Sequence, residues 1–401
     1  MIIEGKILLS NRIVEAGILI ENGIIKEIKK SLSGKKLKGL IMPAGIDAHV
    51  HLRDFEESHK ESIDTGTLAA LNGGICLVVD QPNTKPPVES YEIYLKRVRE
   101  AEKKCWVDYS LNLALTRKNA EKVEEIFERV KKEGYNPRIG EVFLQHESLE
   151  VGYEEIAKVK NLPLNIHAED PEFVLGNEIP NFLYRKRKAE IVAVEKCLKI
   201  GKFYFCHIST KEAFEMIKER GGVAEVTPHH LLFSEKDYEK LGNFVNVNPP
   251  LRGEEDRKFL LENFSKIDVL ASDHAPHLTE EKEEGASGYP GVETMYPVMM
   301  GLVFKGVINA FDLAEKIAKN PAKTYGFERY GEIKEGHYAN LAAFDISELQ
   351  KVKLKNLHSK CGWTPYENFP AIFPHSVIVR GEFVKHRGEI LDERVGRVYR
   401  I

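Results

Sequence analysis

The chain has 401 residues, with 58 Lys and Arg against 62 Asp and Glu and a formal net charge of −4. That near-balance, spread along the whole sequence, excludes the basic footprint of a nucleic-acid binder. Hydrophobic residues make up 42%, which excludes wholesale disorder, and the length suits one large domain plus a smaller one.

The N-terminus, Met1-Ile2-Ile3-Glu4-Gly5-Lys6, has no basic region followed by an apolar stretch, so it does not read as a signal peptide. Short strands follow at 17–20 and 24–28 around Asn22-Gly23, a pair that favours a tight hairpin. The middle of the chain alternates strand and helix. Candidate strands are 46–52, 75–80, 107–115, 140–145, 162–167, 203–208, 223–227 and 268–272. Helical periodicity lies between most of them, most clearly at 118–132, 187–199 and 211–220. Eight strands alternating with helices predict a parallel α/β architecture closed as a (β/α)8 TIM barrel. No glycine-rich phosphate loop follows the first strand, as an open doubly wound sheet would normally show. The charged stretch 278–291 reads as a mobile loop after the eighth strand. Strand texture returns at 340–344, 376–379 and 381–384, so both termini are expected to build one small β-sandwich. The expected organisation is 1–43 and 331–401 for the two parts of that sandwich and 44–330 for the barrel. Cys76, Cys105, Cys197, Cys206 and Cys361 are scattered without a C-x-x-C pair, like small buried hydrophobes of a reduced protein. No apolar run reaches the roughly 18 residues of a membrane span, and a cytoplasmic protein is expected.

The chemistry concentrates at strand ends. In Asp47-Ala48-His49-Val50-His51-Leu52-Arg53, residues i and i+2 share one face, so His49 and His51 project together. His167 ends the fifth candidate strand, His207 the sixth and Asp273 the eighth. Barrel topology carries all of these to one rim, and four imidazoles with a carboxylate suit a borderline metal such as zinc. His229 and His230 read as structural support for the end of the seventh strand.

These residues resemble the amidohydrolase superfamily and, within it, the dihydroorotase family. The resemblance rests on the motif at 47–53, Gln-Pro-Asn-Thr at 81–84 and Asn-Pro-Pro-Leu-Arg at 248–252. It continues in Ser-Asp-His-Ala-Pro-His at 272–277 with Lys282, Gly-Val-Glu-Thr at 291–294, and Ser-Lys-Cys-Gly-Trp-Thr-Pro at 359–365. It implies that His49 and His51 hold a more buried zinc ion, and His167 and His207 a more exposed one. Asp273 would serve as ligand and as general base, then acid, toward a hydroxide shared by the two ions. It further implies Arg53, Asn83, Asn248 and His277 as contacts of a small-molecule substrate, carbamoyl aspartate or dihydroorotate. A homodimer or an association with aspartate transcarbamoylase is left open. Relatives place a carboxylated lysine or an aspartate between the metals at the end of strand four. This chain has Glu141 there, and the expectation is that Glu141 bridges; without that bridge one ion would remain. The stretch between His167 and His207 is shorter than in many relatives. Allantoinases and hydantoinases share the scaffold but need no carboxylate-binding arginine after H-x-H. An inactive scaffold protein would be expected to lose metal ligands.

Overall fold

The computed structural model describes residues 1–401. Eight parallel strands form the barrel: Gly45–Val50, Ile75–Asp80, Asp108–Leu111, Ile139–Phe143, Leu164–His167, Tyr204–Phe205, Val223–Val226 and Val269–Leu270. The first three pair in order, as do the last five. The ring closes through parallel bridges Leu113 to Ile139 on one side and Val50 to His274 on the other. Each strand falls inside or beside the stretch expected of it, and most are shorter than expected. Nearly every barrel-strand residue is buried, as a sheet covered on both faces requires. Helices Arg187–Ile200 and Lys211–Arg220 lie where periodicity put them. The helix expected at 118–132 begins only at Val123, after turns that follow the third strand.

An eight-stranded sheet is built from both termini. Its hairpin turn is Asn22-Gly23, both at positive φ (51° and 76°), the conformation an Asn-Gly turn accepts at least cost. Strand Lys35–Pro43 pairs in parallel with Ile2–Leu8 and antiparallel with Leu341–Phe344, stitching the two ends of the chain together.

Two segments differ from the expectation. Residues 352–371 leave the sheet and cross the barrel rim, where Val352, Cys361, Trp363 and Tyr366 share an apolar cluster with Val245 and Tyr289. The stretch 278–291, read as mobile, carries a short helix, Thr279–Glu283, and turns Lys282 completely inward. The Lys282 ammonium donates to the carbonyls of Asn246 (2.7 Å) and Ala286 (2.6 Å) and lies over the rings of Tyr289 and Trp363. Sequence polarity could not reveal this, because the partners are backbone oxygens and aromatic faces.

Candidate metal centre

His49 and His51 are carried to the rim by the first strand, which Asp47 locks to the eighth: its Oδ1 accepts from the backbone N–H of Ser272 (3.0 Å) and of His49 (3.3 Å). Buried Asp80 then grips the chain beyond the pair, accepting from Leu52 N (2.9 Å), Arg97 Nη2 (2.7 Å) and the Tyr109 hydroxyl (2.7 Å). His207 and Asp273 have positive φ, 35° and 46°, in the left-handed region that L-residues seldom adopt. Such strain persists only where the surroundings over-determine it, and here both residues end barrel strands that face one site. Behind His207, Glu190 accepts from the backbone N–H and hydroxyl groups of both Ser209 and Thr210. Gly140 permits the approach of Glu141: a Cβ there would sit 2.5 Å from the Asn165 carbonyl oxygen.

The five side chains expected at the rim meet, and Glu141 lies among them. Its Oε1 is 2.7 Å from His167 Nδ1 and 2.6 Å from His207 Nε2. Its Oε2 is 3.5 Å from His49 Nε2 and 3.7 Å from His51 Nε2. Asp273 Oδ1 is 3.0 Å from His51 Nε2 and 3.6 Å from His49 Nε2. All six residues are buried.

Protonation follows from the outer partners. His49 Nδ1 donates to Glu225 Oε1 (2.9 Å), and His51 Nδ1 donates to Asn83 Oδ1 (2.6 Å). Neutral rings so oriented turn their Nε2 lone pairs toward the carboxylates of Glu141 and Asp273. His167 Nε2 donates to Glu169 (2.9 Å), which turns its Nδ1 lone pair toward Glu141 in the same way. Lone pair against carboxylate is repulsive unless a proton or a cation lies between them. In the bare protein a proton does so at His49 and at His167. Burial alone would lower the His49 pKa, but Glu225 and Glu141 raise it well above its ordinary value. Burial likewise opposes protonation of His167, yet Glu141 and Glu169 raise it to about 9. Burial would push Glu141 up, but the imidazoles of His49, His167 and His207 hold it far below the usual carboxylate range. A divalent cation satisfies the same arrangement without protons, and the buried His49 Nε2, which makes no hydrogen bond, points into it. The donor groups His49–His51–Asp273 and His49–Glu141–His207 each lie within 4.8 Å, close enough to share an ion.

Of the four expected substrate contacts, Arg53 and His277 touch: Arg53 Nη2 donates to His277 Nε2 at 3.2 Å, and Arg53 Nε donates to the Pro276 carbonyl at 3.2 Å. The Arg53 backbone, at φ 48°, is held by Arg97 Nη1 on its carbonyl (2.8 Å). Burial, with the charges of Arg53 and Lys60, keeps His277 neutral. Asn83 is engaged with His51, and Asn248 Oδ1 accepts from Asn181 Nδ2 (2.8 Å).

The sequence model of the amidohydrolase family matches residues 40–384. The chain is 53% identical over 403 residues to a dihydroorotase of Archaeoglobus fulgidus, covering 98% of this chain and all of that one. It is 38% identical to a dihydroorotase of Pyrococcus furiosus, covering 99% of this chain and 95% of that one. The chain belongs to the amidohydrolase family, among the dihydroorotases. The fold of this dihydroorotase-family chain is shared with solved cyclic amidohydrolases. An L-hydantoinase from Arthrobacter aurescens superposes with a TM-score of 0.92 at 23% identity, over 100% of this chain and 99% of that one. A dihydropyrimidinase from Brevibacillus agri gives 0.89 at 22%, over 99% and 98%.

Several partners of the dihydroorotase-type centre escaped the sequence reading. Glu225 accepts from His49 Nδ1, from His207 N (2.9 Å) and from the Tyr204 hydroxyl (2.5 Å), all without solvent exposure. An acid inside the buried strand Val-Ala-Glu-Val was the available signal, since a charge there demands partners. Glu169, two residues beyond His167, is held far below its ordinary pKa despite burial, chiefly by Arg185.

Proposed function

We propose that this chain interconverts N-carbamoyl-L-aspartate and L-dihydroorotate, using two divalent cations that its nitrogen and oxygen ligands suit to be zinc. The observation that supports this most directly is the convergence of His49, His51, Glu141, His167, His207 and Asp273 on one point, in a chain 53% identical to a dihydroorotase. His49, His51 and Asp273 would hold one ion, His167 and His207 the other, and Glu141 would bridge, one oxygen facing each pair.

When bound, the ions polarise the ring carbonyl and acidify a water from a pKa of about 15.7 toward about 7. The residues do the rest. Asp273, aimed inward by its strained backbone, accepts the proton lost as water oxygen bonds to the ring carbonyl carbon. As the carbon–nitrogen bond breaks, Asp273 delivers that proton to the departing nitrogen. Ring closure runs the same steps in reverse. Arg53 Nη1 has no protein partner, and its Nη2 is held only by the neutral His277 ring. The substrate carboxylate takes both positions as a bidentate pair. Asn83 and Asn248 present their remaining amide groups to the same ligand, and His277, once released, faces the ring.

Zinc-loaded protein should turn over carbamoyl aspartate and dihydroorotate in preference to hydantoin and allantoin, and should contain two ions per chain. In Glu141→Ala the ion content should fall; a stoichiometry still at two ends the bridging role. Absence of turnover in both directions ends the enzymatic reading.

A further inference from the structure

The barrel has a second mouth. At the N-terminal ends of its fourth to eighth strands, opposite the metal centre, lies a cavity of about 540 Å³. That is within the range of roughly 300 to 1,000 Å³ typical of small-molecule sites. Three cations line it: Arg138, Lys202 and Lys323. Two acids also line it, and each is already answered. Asp268 is paired with Lys218 (2.5 Å) and accepts from Ala224 N (2.9 Å); Glu315 is paired with Lys316 (3.1 Å).

The three cations have no carboxylate within the 4.0 Å of a salt bridge. Arg138 is the most telling of them. Its Nε donates to Asn165 Oδ1 (2.6 Å) and its Nη1 to the Thr324 carbonyl (3.2 Å), which leaves Nη2 without a protein partner. Its guanidinium lies 5.7 Å from the ring centroid of Tyr204 and 5.2 Å from that of Tyr325. Both tyrosines are buried and pinned through their hydroxyls, Tyr204 on Glu225 and Tyr325 on the Ala48 carbonyl. The arginine is thus half-buried and fixed by neutral groups, with its free edge unanswered, and a partly desolvated guanidinium held in place favours an anion. Lys202 and Lys323 are exposed on flexible stems and can close on whatever Arg138 holds.

We infer that this cavity binds a phosphate-bearing small molecule, with Arg138 as the fixed contact and Lys202 and Lys323 as the mobile ones. A phosphate offers the several acceptor oxygens that one guanidinium edge and two ammonium groups need. A monocarboxylate would leave most of these donors idle.

The test is calorimetric titration of the full-length, metal-loaded protein with inorganic phosphate, pyrophosphate and a nucleoside monophosphate in turn. At least one should bind saturably at a single site, more weakly at high salt. Lys202→Glu with Lys323→Glu should weaken that binding by about tenfold or more, because two attractive charges become repulsive. Turnover in this double variant should stay at the parent value, since neither lysine approaches the metal centre. Arg138→Lys, which keeps the charge but loses the planar fork, should weaken binding as well. Tighter binding of the nucleotide than of inorganic phosphate identifies an organic ligand, and the reverse identifies the free ion; either supports the site. No saturable binding by any of the three overturns the inference. Binding untouched by the double charge reversal does so too, because it places the anion elsewhere.

Discussion

The rim of the barrel holds two groups of buried imidazoles, and they differ in their carboxylate surroundings. His49 and His229 are both completely enclosed. His49 meets Glu225 on one ring nitrogen and faces Glu141 and Asp273 on the other. His229 has no hydrogen bond on either nitrogen and packs against Tyr289, and burial lowers its pKa to about 3. Its neighbour His230 is tied to Thr227 Oγ1 (2.8 Å) and the Pro249 carbonyl (3.0 Å), also without a carboxylate. Burial thus outweighs the charge of Asp273, which no hydrogen bond brings to His229, and leaves that ring neutral. Burial beside acids makes a ring that must take up a proton or a cation.

The sharpest way to break this contrast is at the acids. Asp273→Asn should lower turnover by about 10²- to 10⁴-fold, the usual contribution of a positioned acid–base group, measured in both directions of the reaction. A change below tenfold would assign the proton transfer elsewhere. Glu225→Gln keeps the shape of the His49 partner but removes its charge. Metal affinity, followed by chelator competition, should fall by about 10- to 100-fold. Affinity equal to that of the parent would reduce Glu225 to a filler. His229→Gln is the control: metal content should not change, while stability should fall by about 1 to 3 kcal/mol because the buried amide lacks partners. Loss of an ion in that variant would abolish the distinction between the two groups.

A separate effect is in pH, read from chemical denaturation of the metal-stripped protein. The folded pKa of His167 is raised from 6.5 to about 9, so its stabilisation is complete below about pH 6.5 and is lost as pH climbs through about 9. His229 acts with the opposite sign. Its folded pKa is depressed, the unfolded ring takes up a proton near 6.5, and stability falls as pH drops below that value. Stability of the stripped protein should therefore be greatest near pH 6.5, falling toward acid through His229 and toward alkali through His167. Restoring metal should remove the alkaline loss, because the cation replaces the proton. An alkaline loss that persists with metal bound would mean that His167 is not a ligand.

The eight strands were legible because buried parallel strands are continuous apolar runs, and because a histidine or aspartate ending such a run is conspicuous. His49 and His51 could be paired from the two-residue period alone. The placement of Glu141 came from a departure from a family pattern, which marks a position but not its neighbours. Glu225 was not found, since a single acid in a strand says nothing about which ring it meets until the barrel closes. The inward turn of Lys282 and the passage of 352–371 across the rim were equally hidden. Their partners are carbonyls, aromatic faces and a remote apolar cluster, none of which leaves a periodic trace in sequence.

That passage across the rim bears on how the enzyme comes to exist. Trp363 Nε1 donates to the carbonyl of His277 (2.8 Å), and the Ser359 hydroxyl and the Lys360 ammonium reach Glu61 (2.5 Å) and the Ser58 carbonyl (2.9 Å). A chain emerging from the ribosome completes its barrel strands first, and domains generally fold in that order. The rim beside His277 is covered only when residues almost a hundred positions beyond the last barrel strand have been made and have folded back. Synthesis halted before Trp363 would leave a ring that can gather metal ligands but has an unfinished mouth.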